Sequence, residues 1–148
     1  MNEELTISLG RRYRFAASHR LHSEKLSEQD NQRVYGKCNN PYGHGHNYVV
    51  EIVVSGPVDA STGMIVNLGD LDGFVEREVI AAFDHKSLNR DVAAFRDKVP
   101  TTEHVCVEIF ERVKRFPQAK LRRVRVEETS NNAFEYSGEE CEKRGVVR

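Results

Sequence analysis

From Thr6 to His19, apolar side chains recur at every second position: Ile7, Leu9, Tyr13, Phe15 and Ala17, with Arg11 the one break. A period of two predicts a strand with one buried face, and His19 falls in the same phase. His46 to Val54 predicts a second strand, rich in β-branched residues and closed by Ser55-Gly56-Pro57. After a turn at Asp59 to Gly63 the period changes. Leu68, Leu71, Val75, Val79 and Phe83 recur at three- and four-residue steps, the stripe of an amphipathic helix. Thr101-Thr102-Glu103 supplies the cap of another helix, whose stripe Val105, Ile109, Val113 and Phe116 ends at Pro117. Lys120 to Glu128 returns to alternation, with Glu128 on the apolar side. Ser130-Asn131-Asn132 then turns the chain, and Ala133 to Ser137 is the expected hairpin partner. The polar stretch Ser23 to Lys37 reads as a long loop, residues 84 to 100 as an irregular connection, and the tail 139–148 as loose. Two strands, two helices and two strands, with the classes segregated, predict an α+β domain over residues 1–138: an antiparallel four-stranded sheet with two helices on one face.

Composition narrows the classes. A chain of 148 residues holds one such domain. Its 22 Lys+Arg against 23 Asp+Glu give a formal net charge of −1, so no overall basic excess points to nucleic acid. No apolar run approaches the ~20 residues of a membrane span, and the acidic start Met1-Asn2-Glu3-Glu4 is unlike a secretory leader. Three cysteines, Cys38, Cys106 and Cys141, suit free thiols in a reducing, cytoplasmic setting.

The histidines change the picture, because four of the six precede residue 47. His44 and His46 are two apart at a strand start, so both imidazoles project from one face, with Gly45 between them. His19 ends the other strand in the inward phase, and antiparallel pairing would bring it in as a third nitrogen ligand. Three histidines without a cysteine form the pattern of a catalytic zinc site with an open fourth position. The plain alternative is an accidental His-x-His beside a buried core histidine. Cys38 lies on a turn-rich run six residues before His44, where a divalent cation and Lys37 would both lower its pKa and favour the thiolate. The alternative is that it serves as a fourth ligand.

Asp84-His85 ends the first helix and offers an acid–base pair, or else a solvated helix terminus. Glu128, acidic in an apolar phase, needs a partner, and a planar ligand with several N–H donors would suit it. The basic groups Arg11/Arg12/Arg14/Arg20 and Lys120/Arg122/Arg123/Arg125 could attract phosphate, but a solvated strand face explains them as well.

Taken together, several segments resemble the 6-pyruvoyl-tetrahydropterin synthase family: Phe15-Ala16-Ala17-Ser18-His19-Arg20-Leu21, Gly36-Lys37-Cys38-Asn39-Asn40-Pro41, Gly43-His44-Gly45-His46-Asn47-Tyr48, Gly63-Met64, Asn67-Leu68, Asp84-His85-Lys86, Thr101-Thr102-Glu103 and Glu128-Thr129. The resemblance implies the tunnelling fold, assembled as barrel-forming trimers into a homohexamer with active sites between subunits. It implies Zn2+ on His19, His44 and His46, and Cys38 as the proton-abstracting thiol. Asp84 and His85 would be a relay from an adjacent subunit, and Glu128 the pterin anchor in a pocket lined by Thr101 and Thr102. His22 and His104 would be surface residues.

The implied reaction converts 7,8-dihydroneopterin triphosphate to 6-pyruvoyl-tetrahydropterin with loss of triphosphate, zinc serving as Lewis acid. No nicotinamide cofactor is expected, as no Gly-x-Gly-x-x-Gly is present. The related 6-carboxy-tetrahydropterin synthase usually has three residues between its cysteine and His-x-His. Here there are five, in the Cys-Asn-Asn-Pro form of the pyruvoyl enzyme. Two further alternatives are a non-catalytic zinc- or pterin-binding module and a structural zinc site closed by Cys38. Arg14 and Ala17 stand where the family often has small or hydroxylated residues, and nothing after Gly138 is familiar.

Overall fold

A computed structural model describes residues 5–138, so the expected loose tail lies outside the described residues. In chain order the elements are β1 (Thr6–His19), α1 (Glu28–Tyr35), β2 (His44–Pro57), α2 (Leu68–Val75), α3 (Ala81–Phe83), β3 (Lys86–Ser87), α4 (Leu88–Asp91), α5 (Thr102–Val113), β4 (Lys120–Thr129) and β5 (Asn132–Tyr136). The sheet order is β3-β1-β2-β4-β5. β1 and β2 pair antiparallel from Thr6↔Pro57 to His19↔His44, β4 flanks β2, and β5 folds back on β4.

The α+β expectation holds, but the sheet is not a four-stranded antiparallel one. A fifth strand, β3, pairs parallel with β1 at Ala17 and Ser18. The chain leaving α3 is pinned there: the Ala16 N–H donates to Asp84 Oδ1 at 2.9 Å, and the His85 N–H donates to the Ala16 carbonyl at 2.6 Å. Two residues carry no readable period, so the strand is invisible to pattern analysis.

The stretch Ser23 to Lys37 is likewise more than a loop, for it contains α1. Ser27 caps this helix by accepting from Asp30 N, and its one buried residue is Asn31. The Asn31 amide donates to the carbonyls of Ser23, Leu26 and Ser27 and accepts from Ser23 N. A helix held by a polar side chain has no apolar stripe to betray it.

From Leu68 the helical path runs through a π turn at Glu76–Ile80 to Phe83. Leu71, Val75, Val79 and Phe83 are fully buried, whereas Leu68, on the same expected stripe, is exposed at the first turn. They meet Tyr48, Val50, Ile52 and Val54 of β2 and Val105, Ile109 and Val113 of α5 in one core. Each such side chain contributes ~1.5–3 kcal/mol on burial, so this layer sets where the sheet's edge can lie.

Arg11 breaks the β1 pattern for a visible reason. Its Nε and Nη2 donate to both carboxylate oxygens of Asp72 on α2, at 2.6 and 2.7 Å, and Tyr13 Oη adds a third bond at 2.8 Å. Three other strand arginines are also paired: Arg12 with Glu51, Arg123 with Glu51 and Glu135, and Arg125 with Glu135.

Candidate metal centre and active site

The β1–β2 register places His19 directly opposite His44, with His46 opposite Ala17. All three continue the inward phase of Phe15 and Ala17 on β1 and Tyr48 on β2. The imidazoles therefore close the end of the hydrophobic core. His19 Nε2 lies 3.0 Å from His44 Nε2, and the rings of His19 and His46 are 5.0 Å apart. One nitrogen from each histidine lies within 4.8 Å of the others.

His19 is 1% exposed, with Nδ1 held 2.8 Å from the Pro100 carbonyl. That contact makes Nδ1 the donor and turns the Nε2 lone pair toward its neighbours, the usual outer arrangement of a ligating histidine. Burial lowers the pKa values of His19 and His44, and His46 adds repulsion in each case. Neutral imidazoles are what a cation requires. Among the described residues His44 Nδ1 is buried without a hydrogen-bond partner, an arrangement costly in a core unless a ligand uses it, and His46 Nε2 has only the Glu128 carboxylate near it, outside hydrogen-bond geometry. The donor set fits a divalent metal of the zinc type.

Glu128 borders this cluster from β4. Its Oε1 is 3.1 Å from His46 Nε2, and its Oε2 accepts from the hydroxyl of buried Thr102. Thr101, the neighbouring residue, caps α5 by accepting from His104 N at 3.3 Å. The α5 N-terminus thus holds the carboxylate whose position in an apolar phase was unexplained.

Cys38 sits in a 3₁₀ turn over Gly36–Asn39, folded back as expected: its carbonyl accepts from Leu21 N at 2.8 Å. Asn39 ties the same strap to the Leu21 carbonyl and His22 Nδ1. His22 is therefore part of the strap and half-buried, whereas His104 is exposed. Burial pushes the thiol pKa up, Glu128 adds to the rise, and Lys37 is not among the groups acting on it.

Asp84 and His85 are not brought to this cluster within one chain. They stand at the β1 edge, where His85 lines a cavity of about 370 Å3 together with Ala16, Ser18, Gly45 and Asn47 and with Ala17 and His46 of the inward set. His85 Nε2 is 3.6 Å from Asp84 Oδ2, and its side chain is 83% exposed. Its φ of +59° lies in the left-handed region, rare outside glycine.

Sequence reasoning gave no role to Tyr48, which is fully buried with Oη 3.4 Å from His19 Nδ1, or to the Pro100 carbonyl. Tyr48 carried a signal, standing two residues beyond His46 in the same phase. Pro100 carried none, because a backbone contact between residues 81 apart leaves no trace in composition.

Fold and site together define an α+β domain with a three-histidine cluster able to hold a metal ion at the end of its sheet. Residues 8–139 match the family model described as 6-pyruvoyl tetrahydropterin synthase. The chain belongs to that family. It is 47% identical over 132 residues to the human 6-pyruvoyl tetrahydrobiopterin synthase, covering 88% of this chain and 91% of the human one. It is 34% identical over 131 residues to an Archaeoglobus fulgidus protein named provisionally as a 6-carboxy-5,6,7,8-tetrahydropterin synthase, covering 88% of this chain and 94% of that one. The solved 6-pyruvoyl tetrahydropterin synthase of Caenorhabditis elegans superposes with a TM-score of 0.89 at 40% identity, covering 94% of this chain and all of that one.

Proposed function

We propose that this chain is a zinc-dependent carbon–oxygen lyase that converts 7,8-dihydroneopterin triphosphate to 6-pyruvoyl-tetrahydropterin and releases inorganic triphosphate. The observation that carries this reading is the convergence of His19, His44 and His46 on one point with Glu128 at its border, in a chain of this family.

His19, His44 and His46 would hold the zinc, which when bound supplies Lewis-acid character that acidifies neighbouring C–H and O–H groups. Glu128, fixed by the Thr102 hydroxyl, accepts from the N–H and amino groups of the pterin and orients the ring. Thr101 and Thr102 line that pocket. Cys38, on its strap beside the cluster, takes the carbon-bound proton once its own has left. Asp84 and His85, of which His85 is 83% exposed, move protons onward at the site of an adjacent subunit. A homohexamer with interfacial sites follows, and it would also cover the open sheet edges at β5 and β3. The free thiols favour a reducing compartment such as the cytoplasm.

The test is to incubate zinc-loaded protein with dihydroneopterin triphosphate and weigh the product. A three-carbon side chain with inorganic triphosphate released is the expected result. A carboxy product would assign the chain to the other branch, which the five residues between Cys38 and His44 disfavour. Pterin bound with no turnover would make it a binding module.

A further inference from the structure

A cavity of about 440 Å3 abuts the metal cluster without belonging to it. Its walls are the segment after β1, with Arg20 and Lys25, and the segment before α5, with Arg96, Lys98 and Pro100. The inner wall is shared with the metal site: Arg20 follows His19 in the chain, and the Pro100 carbonyl holds His19 Nδ1 at 2.8 Å. Arg20 is anchored by a pair of backbone bonds to the Asn89 amide, at 2.7 and 2.9 Å. Among the described residues its guanidinium uses only Nε in a protein hydrogen bond, to the Asn39 carbonyl at 3.2 Å. Both terminal nitrogens are left for a ligand.

The cations of this cavity differ from four of the strand arginines. Arg11, Arg12, Arg123 and Arg125 are each paired with a carboxylate. Lys25, Arg96 and Lys98 make no ion pair among the described residues. Four fixed cations stand against two carboxylates, Glu24 and Asp97, a local excess of 4 − 2 = +2 in a chain whose net charge is −1. Single exposed cations contribute little. Several lining one concave wall focus the field on a polyvalent anion, and arginine matches phosphate oxygens two at a time.

The succession of groups gives direction. Glu128 is 3.1 Å from His46, the His46 and His19 rings are 5.0 Å apart, and Arg20 is next to His19. The basic cavity meets this row at His19, through the Pro100 carbonyl on Nδ1, so a polyanion bound there and a ring anchored at Glu128 flank the same imidazole cluster. We infer that this cavity binds the triphosphate of the substrate, with Arg20 at its inner end and Lys25, Arg96 and Lys98 toward the opening. The inference rests on the proposed function in taking the substrate to be a pterin triphosphate.

The test uses inorganic tripolyphosphate as the probe, titrated calorimetrically into the zinc-loaded full chain, with zinc retention measured afterwards because polyphosphate chelates metals. One site per chain is expected, weakening steeply with salt. Arg96→Ala/Lys98→Ala should weaken it at least tenfold and raise KM for dihydroneopterin triphosphate by a similar factor, with kcat within twofold. Lys98→Arg should preserve binding. Both side chains are exposed, so the variants should melt like the parent. Unchanged affinity in the double variant overturns the inference. So does loss of affinity in Lys37→Ala instead, since Lys37 lines a separate cavity with Arg20, and so does tripolyphosphate binding that does not compete with substrate. Binding through Arg96 and Lys98 in a protein that yields no pyruvoyl product would uphold the anion site and remove the proposed reaction.

Discussion

Nε2 of His46 and Oε1 of Glu128 stand 3.1 Å apart, while the other oxygen of Glu128 is engaged by Thr102. One carboxylate therefore borders the imidazole cluster and is braced by the start of α5. If its task is to hold the pterin, removing its charge and keeping its shape should leave the metal in place. Glu128→Gln is expected to retain one zinc per chain and to weaken pterin binding at least tenfold, as loss of a charged acceptor costs about 1.5–3 kcal/mol. Metal analysis beside a pterin titration checks both, and loss of zinc would make Glu128 a ligand.

How Glu128 was found also shows what the sequence could reveal. An acid in the apolar phase of a strand is a local anomaly, and so are two histidines separated by one residue. Both lie on β4 or β2, where a period of two fixes the side of every side chain. The helix beginning at Leu68 was legible for the same reason. α1 was not, because Asn31 and Ser27 hold it through hydrogen bonds that have no periodicity. Nor was the placement of Asp84-His85, since the left-handed φ of His85 and the clamp on Ala16 are set by contacts across the sheet edge that leave no periodic pattern. The role of Thr102 lay between these cases: its cap position was readable, its contact with a strand 26 residues later was not.

Cys38 can be separated as base and as ligand. Its thiol is half-buried on the strap, and no nitrogen of the histidine cluster requires it for a three-ligand site. Cys38→Ala should lower kcat by about 10²–10⁴, the range for a lost general base, while zinc stoichiometry stays at one. X-ray absorption of the zinc-loaded parent should show nitrogen and oxygen neighbours only. A sulfur neighbour, or zinc lost with the thiol, would make the centre a closed structural site.

Cys106 gives a prediction about stability. It is buried in α5, its Sγ–H donates to the Val124 carbonyl at 3.3 Å, and burial pushes its pKa up to about 12. The unfolded chain releases this proton near 8.5, so above that pH the folded state binds more protons than the unfolded one. Stability is then lost as pH rises, by up to about 1.4 kcal/mol per pH unit for this one group. Comparing Cys38→Ala with Cys38→Ala/Cys106→Ala between pH 9 and 10 isolates the effect, because every other titrating group is common to both variants. The double variant should show a flatter decline in denaturant midpoint, whatever its absolute stability. Parallel declines would mean that Cys106 ionises in the folded protein.

The exposure of His85 has a consequence that mixing experiments can read. Its side chain is 83% exposed and among the described residues its one ion pair is with Asp84, so the proposed relay is assigned to another chain's Cys38. His85→Ala and Cys38→Ala should each be nearly inactive alone. When the two are unfolded together and reassembled, a site formed from a chain with Cys38 and a neighbour with His85 is complete. Random assortment makes about a quarter of sites complete in this way, and activity should return to roughly that fraction of the parent. If His85 served its own chain, every site would lack one group or the other, and the mixture would stay inactive. Each variant reassembled alone, with oligomer size measured beside activity, shows whether any recovery needs both chains in one assembly.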